Sequence, residues 1–175
     1  MGIEIERKFL PRSDGWRAAA RKVVPMAQGY LNDLALVDSG AMRASVRVRI
    51  EGDAAFLNIK SRELGASRQE FEYPVPVAEA RALLKLCVGG LVEKHRHYVE
   101  HAGHLWEVDE FLGDNAGLVV AEIELASEDE TFAQPDWVGV EATHAARYYN
   151  LALASRPFSQ WREDERQAHD LMEGR

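Results

Sequence analysis

A chain of 175 residues, 46% of them hydrophobic, holds enough apolar material for one real core, which excludes disorder for most of its length and predicts one domain with at most a short appendage. Its net charge of −8 argues against nucleic acid as a partner, since that binding needs a surplus of Lys and Arg; any phosphate partner must meet a local basic cluster. No apolar run approaches the ~18 to 20 residues that cross a bilayer, and the charges at Glu4, Glu6, Arg7 and Lys8 do not suit a secretory leader, so a cytoplasmic protein that uses no membrane is predicted.

In chain order, the first strand alternates Glu4, Glu6 and Lys8 with Ile3, Ile5, Arg7 and Phe9, which puts two carboxylates and an ammonium on one pleated face. Ser13 and Asp14 offer cap oxygens to a short helix over 16–22 that Pro25 closes, and 28–36 reads as a strand. Strands over 43–51 and 55–62 flank a Gly52-Asp53 hairpin; a loop holding Gly65 leads to a strand over 68–75 that ends near Pro74. The segment 77–87 has apolar residues at helical spacing, and Gly89-Gly90 stops it. Cys87, the one cysteine, packs there as a small hydrophobe in a reducing compartment. Strands over 92–100, 104–112 and 118–126 follow, the first two parted by Ala102-Gly103, and the end is helical over 143–154 and 159–173.

About eight strands joined mostly by short turns predict an α+β protein with a largely antiparallel sheet, closed into an eight-stranded barrel that leaves no exposed edge. The ordinary arrangement would put the apolar face inside and solvate the charges. Two features favour the reverse. Like charges share strands, as in Glu4 with Glu6, Arg47 with Arg49, Glu70 with Glu72, Lys94 with Arg96 and Glu122 with Glu124. Amphipathic helices around Trp16, Leu83, Tyr148 and Trp161 also need an apolar wall to pack on, which the outside of a polar-lined barrel provides. The charges are therefore expected to line a tunnel, with the helices outside it.

Eight acidic residues (Glu4, Glu6, Glu70, Glu72, Glu107, Asp109, Glu122, Glu124) then face six basic ones (Lys8, Arg47, Arg49, Lys60, Lys94, Arg96). Converging carboxylates repel unless cations sit among them, and oxygen ligands select hard divalent ions such as Mg²⁺ or Mn²⁺. The guanidinium forks suit phosphate oxygens, so a polyphosphate chelated to divalent metal fits both halves of the lining. His95 and His97 have the opposite strand parity to Lys94 and Arg96, and no cysteine lies near, which disfavours a zinc site. Trp106 and Trp137 are read as packing against a helix in preference to stacking on a base.

The opening Glu4-Ile5-Glu6-Arg7-Lys8 resembles the ExExK signature of the CYTH superfamily, the triphosphate tunnel metalloenzymes. The likeness continues in order through Gly29-Tyr30-Leu31, Arg47-Val48-Arg49, Lys60-Ser61, Ser67-Arg68-Gln69-Glu70-Phe71-Glu72, Glu93-Lys94-His95-Arg96, Glu107-Val108-Asp109, Glu122-Ile123-Glu124 and Arg147-Tyr148-Tyr149-Asn150. It covers residues 2–155, most resembles the compact bacterial branch that hydrolyses inorganic triphosphate, and divides the chain into a tunnel domain over 1–155 and a helical tail over 156–175.

The resemblance implies that Glu4, Glu6, Asp109, Glu122 and Glu124 hold one or two Mg²⁺ or Mn²⁺ ions, and that Lys8, Arg47, Arg49, Lys60, Lys94 and Arg96 grip phosphate. Glu70 and Glu72 would orient those cations or join the metal side, and Tyr30 and Tyr148 would either contact substrate, Tyr30 foremost, or pack in the wall. Glu4, Glu6 and Glu122 are the contenders for the group that takes the proton of the attacking water. Ala146 and Leu151 depart from the basic residues expected beside Arg147, and the tail reads as a helix packed on the barrel or as a homodimer contact. Three functions follow: a triphosphatase preferring inorganic tripolyphosphate, with nucleoside or thiamine triphosphate as lesser substrates; an adenylyl cyclase; or a non-catalytic polyphosphate-binding module.

Overall fold

The computed structural model describes residues 2–62 and 67–173. Gly65 and its loop lie outside the described residues, as do the side chains of Ile3 and Arg68. Among the described residues the order is β1 (Gly2–Pro11), α1 (Gly15–Ala19), β2 (Lys22–Tyr30), α2 (Leu34–Asp38), β3 (Ala44–Glu51), β4 (Ala54–Ser61), β5 (Ser67–Pro74), α3 (Val77–Leu84), β6 (Val88–His101), β7 (His104–Phe111), β8 (Val119–Glu124), β9 (Val138–Glu141), α4 (Asn150–Ser155) and α5 (Glu163–Glu173). The strands form one sheet in the order β5-β4-β3-β2-β6-β7-β8-β1-β9, with β1 also pairing β5. Each of these ladders is antiparallel.

The fold is α+β, as predicted, and its antiparallel sheet holds nine strands where eight were expected. The added strand, β9, meets β1 at Phe9↔Glu141 and Pro11↔Val138. Four residues interrupted by Gly139 are too short to show alternation, yet that glycine is what admits the strand. A Cβ at Gly139 would stand 2.5 Å from the Leu10 carbonyl oxygen.

Other boundaries moved for identifiable reasons. The predicted helix over 16–22 shrinks to α1, and the side chain of Asp14 makes no capping bond. The following strand starts six residues earlier than predicted because Pro25 does not break it. The β2–β3 ladder begins only at Met26, so the missing N–H at Pro25 leaves no rung empty, and the Pro25 carbonyl accepts from Gly52 N–H in the hairpin. Beyond Tyr30, Asn32 turns the chain by accepting from Val46 N–H (2.8 Å) and donating to the Ala44 carbonyl (2.9 Å), and Asp33 caps α2. Residues 31–36 are therefore turn and helix. Gly89 and Gly90 do not stop a helix but open β6, where Gly89 has φ of 78° and lies close to the Ala154 carbonyl of α4. In place of a helix over 143–154 there is a turn at Thr143 and His144, a 3₁₀ turn over Ala146–Tyr148, and α4. Thr143 is held out of a helix because its Oγ accepts from Lys8 N–H and its carbonyl accepts from the Tyr149 hydroxyl.

The core has three parts: a small cluster of Val48, Ala55 and Ala80 under α3, a larger outer cluster and an end cluster. Phe9, Trp16, Val99, Trp106, Val108, Ile123 and Trp137 form the outer cluster, on the side of β1, β6, β7 and β8 opposite to their charged residues. Trp106 and Trp137 meet edge to face with centroids 5.6 Å apart, which confirms packing as their role. The end cluster occupies the charged face itself. Leu10 follows Lys8, Phe111 follows Asp109, Val92 precedes Lys94 and Val120 precedes Glu122, and all four pack with Leu153, Phe158 and Trp161. The tail beyond 155 thus spends its aromatic side chains within its own chain. Among the described residues no helix is long and apolar enough to cross a membrane.

Candidate active site

The strand registers set the charges side by side on one face. Glu6 pairs Glu124 and Lys8 pairs Glu122 across β1 and β8; Glu107 pairs Glu122 across β7 and β8; Arg96 pairs Asp109 across β6 and β7; Lys60 pairs Glu70 across β4 and β5. They surround a cavity of about 420 Å³. Of the predicted site residues, Glu4, Glu6, Lys8, Tyr30, Arg47, Arg49, Lys60, Lys94, Arg96, Glu122 and Glu124 line it. Glu70, Glu72 and Asp109 do not.

Each of those three stands behind a cation. Asp109, wholly buried, takes Arg96 Nε and Nη2 at 2.7 Å each and is also hydrogen-bonded by Lys94. Glu70 lies 3.3 Å from Lys60 Nζ and 3.7 Å from Arg47, while Glu72 accepts from Arg49 at 2.9 Å. The Asn58 amide donates to both glutamates, at 2.9 and 2.6 Å, and fixes them on β5. A carboxylate so placed orients the guanidinium in front of it and stiffens the lining.

Within the cavity, Lys60 bridges both oxygens of Glu4 at 2.9 and 2.8 Å. Lys8 donates to Glu6 at 2.8 Å and to Glu122, and Arg96 reaches Glu122 at 2.8 Å and also pairs with Glu107. Burial penalises these charges unevenly. It works against ionised Glu122, but Lys8, Arg96 and Lys94 outweigh it and hold that carboxyl well below its usual range. Burial likewise works against Arg96, whose charge Asp109 and Glu107 keep firmly in place. Lys94 is pushed down to about 8, chiefly by burial and against the pull of Asp109. Arg49 is lowered by burial and then by Arg47 beside it. Glu107 is raised by burial against the pull of Arg96, and Glu124 is raised by burial and then by the nearby charges of Glu4 and Glu6.

Two chemical halves result. Glu4, Glu6 and Glu124 share one side, where burial and then the charges of Glu4 and Glu6 raise Glu124, and together they form a donor set of hard oxygens that suits a divalent cation. Among the described residues no three such side chains stand already gathered at ligand distance, because Lys60 and Lys8 hold Glu4 and Glu6. On the other side Arg47 and Arg49 approach each other, each with a buried Nε lacking a hydrogen-bond partner. Like charges concentrated there are ready for a polyanion.

Sequence reasoning missed several lining residues. Gln28, Ser45 and Arg62 keep the parity of Tyr30, Arg47 and Lys60, whereas Ser61 has the opposite parity, and Arg147 and Tyr149 come from the irregular segment after β9, which has no period. Tyr149 sets its ring 4.9 Å from Lys8 Nζ. Tyr148 lies outside the lining, buried in the end cluster, where its hydroxyl and His169 Nδ1 are 3.1 Å apart.

Residues 2–155 match the family model described as CYTH domain. The chain is 43% identical to an inorganic triphosphatase of Acetivibrio thermocellus over 164 residues, covering 93% of this chain and all of the other, and 40% identical to an inorganic triphosphatase of Nitrosomonas europaea over 156 residues, covering 86% and 96%. The crystal structure of an inorganic triphosphatase superposes with a TM-score of 0.62 at 35% identity, covering 88% of this chain and 95% of that one. A Hippeastrum protein assigned to the adenylyl cyclases, with dominant triphosphatase activity, superposes at 0.55 over 73% of this chain and 80% of its own; at 16% identity the likeness is one of fold.

Proposed function

This chain belongs to the CYTH family, and on that premise we propose that its charged cavity binds and hydrolyses triphosphate, with inorganic tripolyphosphate as the preferred substrate. The observation that carries this reading is the division of one cavity lining into a crowded carboxylate side and an arginine and lysine side. We read the β1–β5 pairing as completing a tunnel of eight strands, with β9 outside it.

Glu4, Glu6 and Glu124 would hold Mg²⁺ or Mn²⁺, with Glu122 next to them. When bound, the metal supplies positive charge to the phosphate oxygens and acidifies water. In this reading Arg47, Arg49, Lys60, Lys94 and Arg96 bind the phosphate chain and stabilise the charge that shifts toward the leaving group. Lys8, set between Glu6 and Glu122, joins the two halves and exchanges a carboxylate partner for a phosphate oxygen. Asp109, Glu70 and Glu72 hold the cations in position from behind, which places Asp109 as an orienting group in preference to a ligand. Burial of Lys8, Arg47, Lys94, Arg96 and Glu122 strengthens the contacts they make. The lone thiol, Cys87, suits a cytoplasmic location.

The test is release of orthophosphate from tripolyphosphate by the purified protein with Mg²⁺, with Mn²⁺ and with EDTA. Release that depends on the metal supports the reading. A raised melting temperature with tripolyphosphate but no release would make the protein a binding module.

A further inference from the structure

One lining residue has no place in the division into carboxylates and cations. Gln28, on β2, is 1% exposed and lines the cavity, and among the described residues both its Oε1 and its Nε2 lack hydrogen-bond partners. It pairs with Arg49 on β3 and Val92 on β6, and Met26, two residues before it, pairs with Lys94. A buried amide without partners costs about 1–3 kcal/mol for each orphaned group. Leucine or methionine would fill the same volume without that cost, so the amide serves something that enters the cavity.

Its two ends ask for different partners. Nε2 is a donor, which an ionised phosphate oxygen satisfies. Oε1 is an acceptor, which an ionised phosphate cannot satisfy, because that substrate offers only acceptors. The neighbouring cations do not satisfy it either, since Arg49 is turned to Glu72 and Lys94 to Asp109. A molecule with O–H to give must sit against Oε1 while a phosphate oxygen sits against Nε2.

Resting on the triphosphatase reading, we propose that Gln28 orients the attacking water, accepting its O–H at Oε1 while Nε2 donates to the terminal phosphoryl group. In the step so aligned, the water oxygen bonds to the terminal phosphorus as the bridging P–O bond breaks and its electron pair leaves with pyrophosphate. One proton of the water stays on orthophosphate and the other ends on pyrophosphate. A neutral amide suits the place: a carboxylate there would repel the phosphates, and a lysine could not accept from water.

Kinetics of Gln28→Leu with tripolyphosphate and saturating Mg²⁺ test this. An orienting role lowers kcat about 100-fold, because misplacing a nucleophile costs that much, while KM stays within about threefold. The melting temperature holds or rises, and imidotriphosphate, which is not hydrolysed, still raises it. Gln28→Met repeats the measurement if the leucine variant misfolds. A raised KM with kcat unchanged would make Gln28 a phosphate contact only, and unchanged values of both would make it a wall; either result overturns the proposal. Failure of the underlying reading looks different, since the unmodified protein would then leave tripolyphosphate intact.

Discussion

At the scale of single residues, the opposition between crowded carboxylates and clustered cations makes separable predictions. Glu6→Gln removes a hard oxygen from the set with Glu4 and Glu124, so the metal concentration for half-maximal activity rises by about tenfold or more, while KM at saturating metal changes little. Full activity of that variant at limiting metal would remove Glu6 from the ligand set. Arg49→Ala does the converse, raising KM for tripolyphosphate by about tenfold, the effect of roughly 1.4 kcal/mol, with metal dependence preserved. Lys94 carries a pH prediction. Its pKa in the folded protein is pushed down to about 8 by burial, whereas in the unfolded chain it stays near its ordinary value of about 10.4. Between those limits the unfolded state binds more protons, so the contribution of Lys94 to stability rises with pH in that window. Activity moves the other way. The cavity loses a cation above pH about 8, so kcat/KM falls there, and Lys94→Met abolishes that limb of the profile along with most of the activity. A flat kcat/KM through the alkaline range would contradict the assignment.

At the scale of elements, the charged doublets were legible because strand alternation survives even when boundaries are misplaced. Glu4, Glu6 and Lys8, or Arg47 and Arg49, share a face wherever their strands begin. The inversion of the sheet was legible from like charges recurring on one strand. Less could be read where period gave way to side-chain bonds or close approach. Pro25 looked like a helix stop because its tolerance depends on the β3 hairpin beside it. Asn32 and Thr143 redirect the chain through bonds to residues distant in sequence, Val46 and Lys8. The strand β9 was invisible because it depends on the close approach at Gly139. Gly139→Ala, whose Cβ would meet the Leu10 carbonyl oxygen at 2.5 Å, therefore destabilises the protein by more than the ~1 kcal/mol of an average substitution. Chemical denaturation measures it, and an unchanged midpoint would show that β9 adjusts freely.

At the scale of the whole molecule, the design places an expensive charged surface inside and compensates with three apolar clusters, two outside the sheet and one at the end of the charged face. The tail belongs to the last. Trp161 packs on Tyr148 and Phe158 at centroid distances of 5.5 and 4.9 Å, so Trp161→Ala is predicted to cost about 3–5 kcal/mol and to remove the ring that Arg147 of the lining packs over at 5.2 Å. The family and its chemistry were legible in the ordered motifs, but the separation of Asp109 from the lining and the orphaned amide of Gln28 depend on register and burial and needed the fold. Binding of metal and triphosphate for hydrolysis by one cavity lining is tested by ³¹P NMR of tripolyphosphate incubated with the protein and Mg²⁺, alongside ATP under the same conditions. The account predicts orthophosphate and pyrophosphate appearing together from tripolyphosphate, abolished by EDTA. Tripolyphosphate left unchanged with either Mg²⁺ or Mn²⁺, or ATP converted to cyclic AMP as the main turnover, would contradict it.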